Sequence, residues 1–171
     1  METFEVKRGL VKKLASEGGL AGLASKHFDN VDGQGDAFSG NHGIMTSITG
    51  EYNSLGKLVV DVNQERPDFD DPDAMAVAMD SRQRWSAFLD EATGYNSKQR
   101  GDKAKEFAKK ASKAKSGISQ ARHFMGMATN LTDEKRAQAE EFITTIEGLL
   151  EAGDNTKAES TAKKLGDLLS S

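Results

Sequence analysis

From Pro72 onward the apolar residues of this chain recur at three- and four-residue spacing. Before it they form, apart from one helical run between Leu10 and Phe28, short β-branched or aromatic runs broken by glycine and asparagine, and that contrast limits what the chain can fold into. Two-residue alternation suits a strand with one buried face, and 3.6-residue recurrence suits an amphipathic helix. A chain that shows first one and then the other segregates its strands from most of its helices, which is the α+β class.

The front part reads as follows. Thr3 to Lys7 is β-prone, and Leu10 begins a helical run through Leu14, Leu20, Leu23, Ala24 and Phe28 that Gly18-Gly19 loosens in the middle. Residues 29–42 hold Gly33, Gly35, Gly40, Asn30 and Asn41 and read as a loop. Ile44 to Tyr52 and Lys57 to Val62 form a hairpin across Asn53-Ser54-Leu55-Gly56. Asp71-Pro72-Asp73 then opens a helix, with Asp71 as cap and Pro72 in the first turn. Its apolar face is Met75, Ala78, Met79, Trp85, Phe88, Leu89 and Ala92, and Gly94 ends it.

Four helices are expected behind it. One spans about Ser97 to Lys115 with a stripe of Ala104, Phe107, Ala108 and Ala111, and another begins beyond Gly117 with Ile118, Ala121, Phe124, Met125 and Ala128. Thr132 caps the next, which carries Phe142, Ile143, Ile146, Leu149 and Leu150, and Gly153-Asp154-Asn155 turns into the last, with Leu165, Leu168 and Leu169. The expected architecture is a small β-α-β-β-α domain over residues 1–96, followed over 97–171 by a helical extension that ends in an αα-hairpin. Faces this apolar need cover, so the extension is expected to pack on its own domain, on a second copy or on a partner.

Composition narrows the chemistry. The chain has no cysteine, which removes disulfides, thiolate nucleophiles and Cys-ligated metal. Charged residues make up 29% and apolar residues 36%, with no run long enough to span a bilayer and no signal-type leader at Met1, so a cytoplasmic protein without membrane association is expected. The formal net charge of −4 argues against bulk affinity for nucleic acid, but the charge is uneven.

Three stretches are distinctive: Phe4-Glu5-Val6-Lys7-Arg8-Gly9, Gly56-Lys57-Leu58-Val59-Val60-Asp61-Val62 and, above all, the run from Arg84-Trp85-Ser86-Ala87-Phe88 through Thr93-Gly94-Tyr95-Asn96 to Arg100. Together they resemble an archaeal family labelled domain of unknown function 5611, over roughly residues 2–105. The resemblance implies a compact α+β domain and carries no activity, cofactor or site residue with it. The glycine-rich segment at 33–43 and everything after about Lys115 depart from the family pattern.

No catalytic or cofactor-binding set emerges by spacing. Gly50 to Leu58 imitates a phosphate loop but has five residues between its glycines where four are needed, and Leu58 stands in place of the magnesium-binding hydroxyl. Asp68-Phe69-Asp70-Asp71-Pro72-Asp73 starts like a calcium loop yet has Asp73 at the glycine position and Met79 in place of the bidentate glutamate. His27, His42 and His123 fall in no zinc-binding spacing, and no Gly-x-Ser-x-Gly is present. Asn130-Leu131-Thr132 reads as a helix start. One tetratricopeptide-like turn at Gly153-Asp154 lacks neighbouring repeats.

Two features carry a direction. Lys98, Lys105, Lys109 and Lys113 recur on one helical face, a cationic ridge able to track phosphates weakly and without sequence preference, unless the acidic stretch from Asp61 to Glu91 neutralises it. Phe124, Met125 and Met127 form a candidate protein contact, since thioethers adapt to irregular surfaces. The leading expectation is therefore a non-enzymatic binding or scaffold protein that associates through its helical extension with a protein partner or a second copy, without a cofactor. A nucleic-acid-associated protein using the lysine helix is one alternative. An enzyme of unknown class, with a site assembled from distant residues, is the other.

Overall fold

The computed structural model describes residues 1–171, and the chain forms two compact units, Met1–Asp102 and Lys103–Ser171. The first unit is built from β1 (Glu2–Phe4), α1 (Leu10–Ala15), α2 (Gly19–Ser25), β2 (Asp29–Asp32), β3 (Ala37–His42), β4 (Met45–Tyr52), β5 (Leu58–Gln64) and α3 (Pro72–Thr93). Every strand pairing is antiparallel and the sheet order is β1-β5-β4-β3-β2, a four-strand meander with β1 added along β5. The protein is α+β, as the change of period requires.

Alternation puts one face of the sheet under the helices. Phe38, Met45, Ile48, Tyr52, Leu58 and Val60 point inward, while Ser39, Thr49, Glu51 and Asp61 point away. The covering side chains are Leu14, Leu20, Leu23, Ala24 and Phe28 from the α1–α2 region and Phe88, Leu89 and Ala92 from α3. Phe88 is the hub. Its ring centroid lies 4.9 Å from Phe28, 5.4 Å from Phe38 and 5.7 Å from Trp85, in tilted, edge-on and stacked arrangements that suit aromatic quadrupoles.

Two expectations for this unit need correction. Residues 29–42 are not a loop: they hold β2 and β3, a hairpin around Gly33 and Gly35. The strands were hidden because β2 is an irregular edge with Asn30 at φ 51 and only Val31 half-buried, so no alternation of apolar residues marks it. The order is consequently β-α-α-β-β-β-β-α, the helical run having split at Gly18-Gly19 into α1 and α2. On α3, Met79 is exposed and not part of the apolar face. The helix boundaries follow the sequence: Asp71 accepts from the Asp73 amide, Pro72 occupies the first turn, and Gly94 closes the helix at φ 76, a left-handed conformation that a side chain disfavours.

The helix that follows, α4 (Ser97–Met127), is continuous where two helices were expected. Gly117 does not take the positive φ of a helix terminator. It is instead a site of close packing, because a Cβ there would stand 2.9 Å from the Cβ of Ala162. In the second unit α4 runs on to α5 (Asp133–Glu151) and α6 (Asn155–Ser170), whose caps are Thr132 and Asp154. The expected αα-hairpin is therefore present. Ala114, Ala121 and Met125 of α4 share a core with Ala139, Ile143 and Ile146 of α5 and Ala158, Ala162, Leu165 and Leu169 of α6. Of the expected stripe on α4, Phe107 and Ala111 are half-buried whereas Ala104 and Ala108 are exposed.

Gly50 offers a test of the sheet-side packing. A Cβ at this position would meet Phe38 Cε1 at 2.5 Å, so Gly50→Ala should lower the unfolding free energy by about 1–3 kcal/mol. Gly148 on α5 has open space around it, and Gly148→Ala should be neutral or stabilising by up to about 1 kcal/mol. Urea unfolding followed by circular dichroism measures both, and equal effects would contradict the packing of Phe38 across Gly50.

Candidate functional site

The stretch from Arg84 to Arg100 is where the chain turns from α3 into α4, and its side chains are used to hold that turn. The Tyr52 hydroxyl donates to the Ala92 carbonyl at 2.5 Å, and burial, reinforced by the charge of Asp36, pushes its phenol well above the ordinary range, so it stays a donor. Thr93 Oγ1 donates to the Leu89 carbonyl and accepts from the Tyr95 amide, while the Thr93 carbonyl accepts from the Lys7 amide. Asn96 and Gln99 cap α4 reciprocally, each side-chain oxygen accepting from the other's amide at 2.9 Å. Arg100, almost fully buried, donates to Asp90 and to the Tyr95 carbonyl. These roles are architectural.

Two histidines tie α3 to neighbouring segments. His42 at the end of β3 faces Asp29 of β2 through Nδ1 at 2.9 Å and Asp80 of α3 through Nε2 at 2.7 Å. One ring nitrogen thus faces each carboxylate, and the imidazole bridges β2 and α3. His27 Nε2 lies 2.7 Å from Glu91, its ring edge-on to Phe88 at 6.0 Å. Ser81 clamps the β3–β4 turn: it accepts from the Ile44 amide and donates to the Val77 carbonyl. The sequence carried no signal for these contacts, because the partners are between 13 and 64 residues apart.

Other candidates have structural duties. Asn53 Oδ1 accepts from the Leu55 and Lys57 amides and makes the β4–β5 turn, the place of the imitation phosphate loop. Asp68 accepts from the Asp70 amide and Asp71 caps α3. Thr132 caps α5 through the Lys135 amide.

The lysine ridge is divided by its ion pairs. Lys98 lies 3.2 Å from Asp102 and Lys113 3.1 Å from Glu159 on α6, whereas Lys105 and Lys109 are exposed with no acidic partner. The candidate contact residues also part company. Met125 is buried in the core of the helical unit, because it lies four residues after Ala121 on the inward face, while Phe124 is 43% and Met127 68% exposed. A further feature, not marked by the sequence, is a recess of about 320 Å³ between α3 and the ends of β4 and β5, bounded by Ile44, Met45, Ala78 and Trp85 with Gln64, Ser81 and Arg82 as polar members. No helix of the chain is long and apolar enough to cross a membrane.

The family model described as domain of unknown function (DUF5611) matches residues 1–106, well over half of the chain, and the chain belongs to that family. No curated protein and no solved structure matches it.

The contacts of His42 give a pH prediction. Its hydrogen bond to Asp80, assisted by Arg84 at 3.8 Å and opposed by desolvation, holds the Asp80 carboxyl below the usual carboxylate range. A carboxyl whose pKa is lower in the folded than in the unfolded chain adds stability at neutral pH and loses it as pH falls through the folded value. The melting temperature should therefore drop more steeply below about pH 4 in the parent than in Asp80→Asn, which has no such carboxyl to protonate. Parallel slopes for the two proteins would refute the contribution of this contact.

Proposed function

We propose that this family member is a non-enzymatic association protein whose C-terminal helical unit makes the contact with a protein partner. The observation that carries this reading is the exposure of Phe124 and Met127 near the end of α4, in a unit whose other large apolar side chains are buried or half-buried. Two such side chains side by side in water favour removal from it, each by roughly 1.5–3 kcal/mol if fully covered. The unit closes its own core without them, so they are available to a partner at no cost to the fold. His27 and His42 are engaged with carboxylates within the first unit, which fits a framework role for them.

A second reading is favoured by Lys105 and Lys109, whose ammonium groups have no acidic partner. They would make loose contact with a phosphate backbone, without reading bases.

Site-specific photo-crosslinking in the native cell tests the first reading. A crosslinker placed at Phe124 or Met127 should trap a discrete protein adduct that the same group at exposed Gln138 does not. Equal labelling at the three positions would overturn it. For the second, two free lysines imply a log-affinity slope against log salt of roughly −2 for DNA, abolished by Lys105→Glu with Lys109→Glu. Sequence-selective binding that persists at high salt would contradict it.

A further inference from the structure

The recess beneath α3 lies wholly in the first unit. Its walls are mixed: Met45 is 2% exposed and Ala78 8%, Ile44 and Trp85 are half-buried, and the buried Ser81, whose hydroxyl is engaged with the Ile44 amide and the Val77 carbonyl, adds a polar wall. At its mouth are two polar side chains with nothing to bind, Gln64 at the end of β5 and Arg82 on α3, both exposed. Three other arginines of the unit are committed elsewhere. Arg84 and Arg100 pair with Asp80 and Asp90, and Arg66 lies over the ring of Phe69 at 5.3 Å. Arg82 has no carboxylate.

We propose that this recess binds a small organic monocarboxylate with an apolar or aromatic body. The body lies against Trp85, Met45 and Ile44, and the carboxylate meets the Arg82 guanidinium, whose fork matches two carboxylate oxygens, with the Gln64 amide as a second donor. A volume of about 320 Å³ is at the small end of the roughly 300–1,000 Å³ of ligand cavities, so the ligand is small. Its charge is also limited. The unit carries more acidic than basic side chains, among them Glu65, Asp68, Asp70, Asp71 and Asp73 in the segment that joins β5 to α3, and this field opposes a di- or trianion such as a phosphate ester. One guanidinium and one amide suit a single negative charge. Recognition is thus by direct contact at the mouth of the recess.

The chain has one tryptophan, and it lines the recess, so intrinsic fluorescence reports on the site without a label. The probes are phenylacetate and its neutral counterpart phenylacetamide, titrated into the full chain. Phenylacetate should give a saturable change in Trp85 emission with a dissociation constant in the millimolar range, and the amide should bind at least about tenfold more weakly, the value of one charge-assisted hydrogen bond. Arg82→Gln, at an exposed position without a partner, should keep the parent's circular dichroism and melting temperature while weakening phenylacetate about tenfold or more. Amide chemical-shift changes confined to residues 44–45, 64 and 78–85 would place the probe independently of fluorescence. No saturable change, equal binding of the amide, full affinity in Arg82→Gln, or shift changes elsewhere in the chain would each overturn the proposal.

Discussion

The packing of Phe88 against Phe28, Phe38 and Trp85 is the constraint on which the first unit depends. These rings come from α3, the segment after α2 and the strand β3, so the cluster joins the helical layer to the sheet at one point. With few aromatic residues in the chain, concentrating them here makes one dense region instead of several weak ones. Much else is arranged to permit it. Gly50 gives the Phe38 ring a place to lie, and His27 packs edge-on against Phe88 while its other side reaches Glu91.

The same helix α3 supplies the polar ties that fix its angle on the sheet. Toward β3 it presents Ser81 to the turn and Asp80 to His42, and at its far end the Tyr52 hydroxyl meets the Ala92 carbonyl. Ser81, which clamps the β3–β4 turn, also lines the recess that has Arg82 and Gln64 at its mouth. The run that marks the family most clearly, Arg84 to Arg100, thus has a structural explanation. It contributes two rings of the cluster, the left-handed Gly94 and the reciprocal cap that starts α4. Of that run, Trp85 alone borders the recess.

The second unit solves its burial problem differently. Its core relies on aliphatic residues from α5 and α6 and on small ones from α4, and Gly117 against Ala162 shows how close the helices come. A small-residue surface on α4 lets Ile143, Ile146 and Leu165 be fully covered by a bundle of modest size. Once that core is closed, Phe124 and Met127 are left outside it, and so are Lys105 and Lys109.

Local chemistry was legible in the sequence wherever a short segment decides its own conformation. The β4–β5 hairpin at Asn53, the start of α3 at Asp71-Pro72, its end at Gly94, the cap at Thr132 and the turn at Gly153-Asp154 all depend on side chains within a few residues of the backbone they satisfy. The α+β class followed from periodicity for the same reason. What tertiary structure alone decided is everything that depends on a neighbour distant in sequence. The irregular edge strand β2 shows no apolar alternation, and Gly117 is a close-packing position against Ala162 and not a helix end. Met125 turned inward while Phe124 and Met127 did not, and His42 found two carboxylates on separate elements. The recess at Trp85 likewise exists only because α3 is held above the sheet, by contacts whose free energy comes from elements that meet only once the chain has folded.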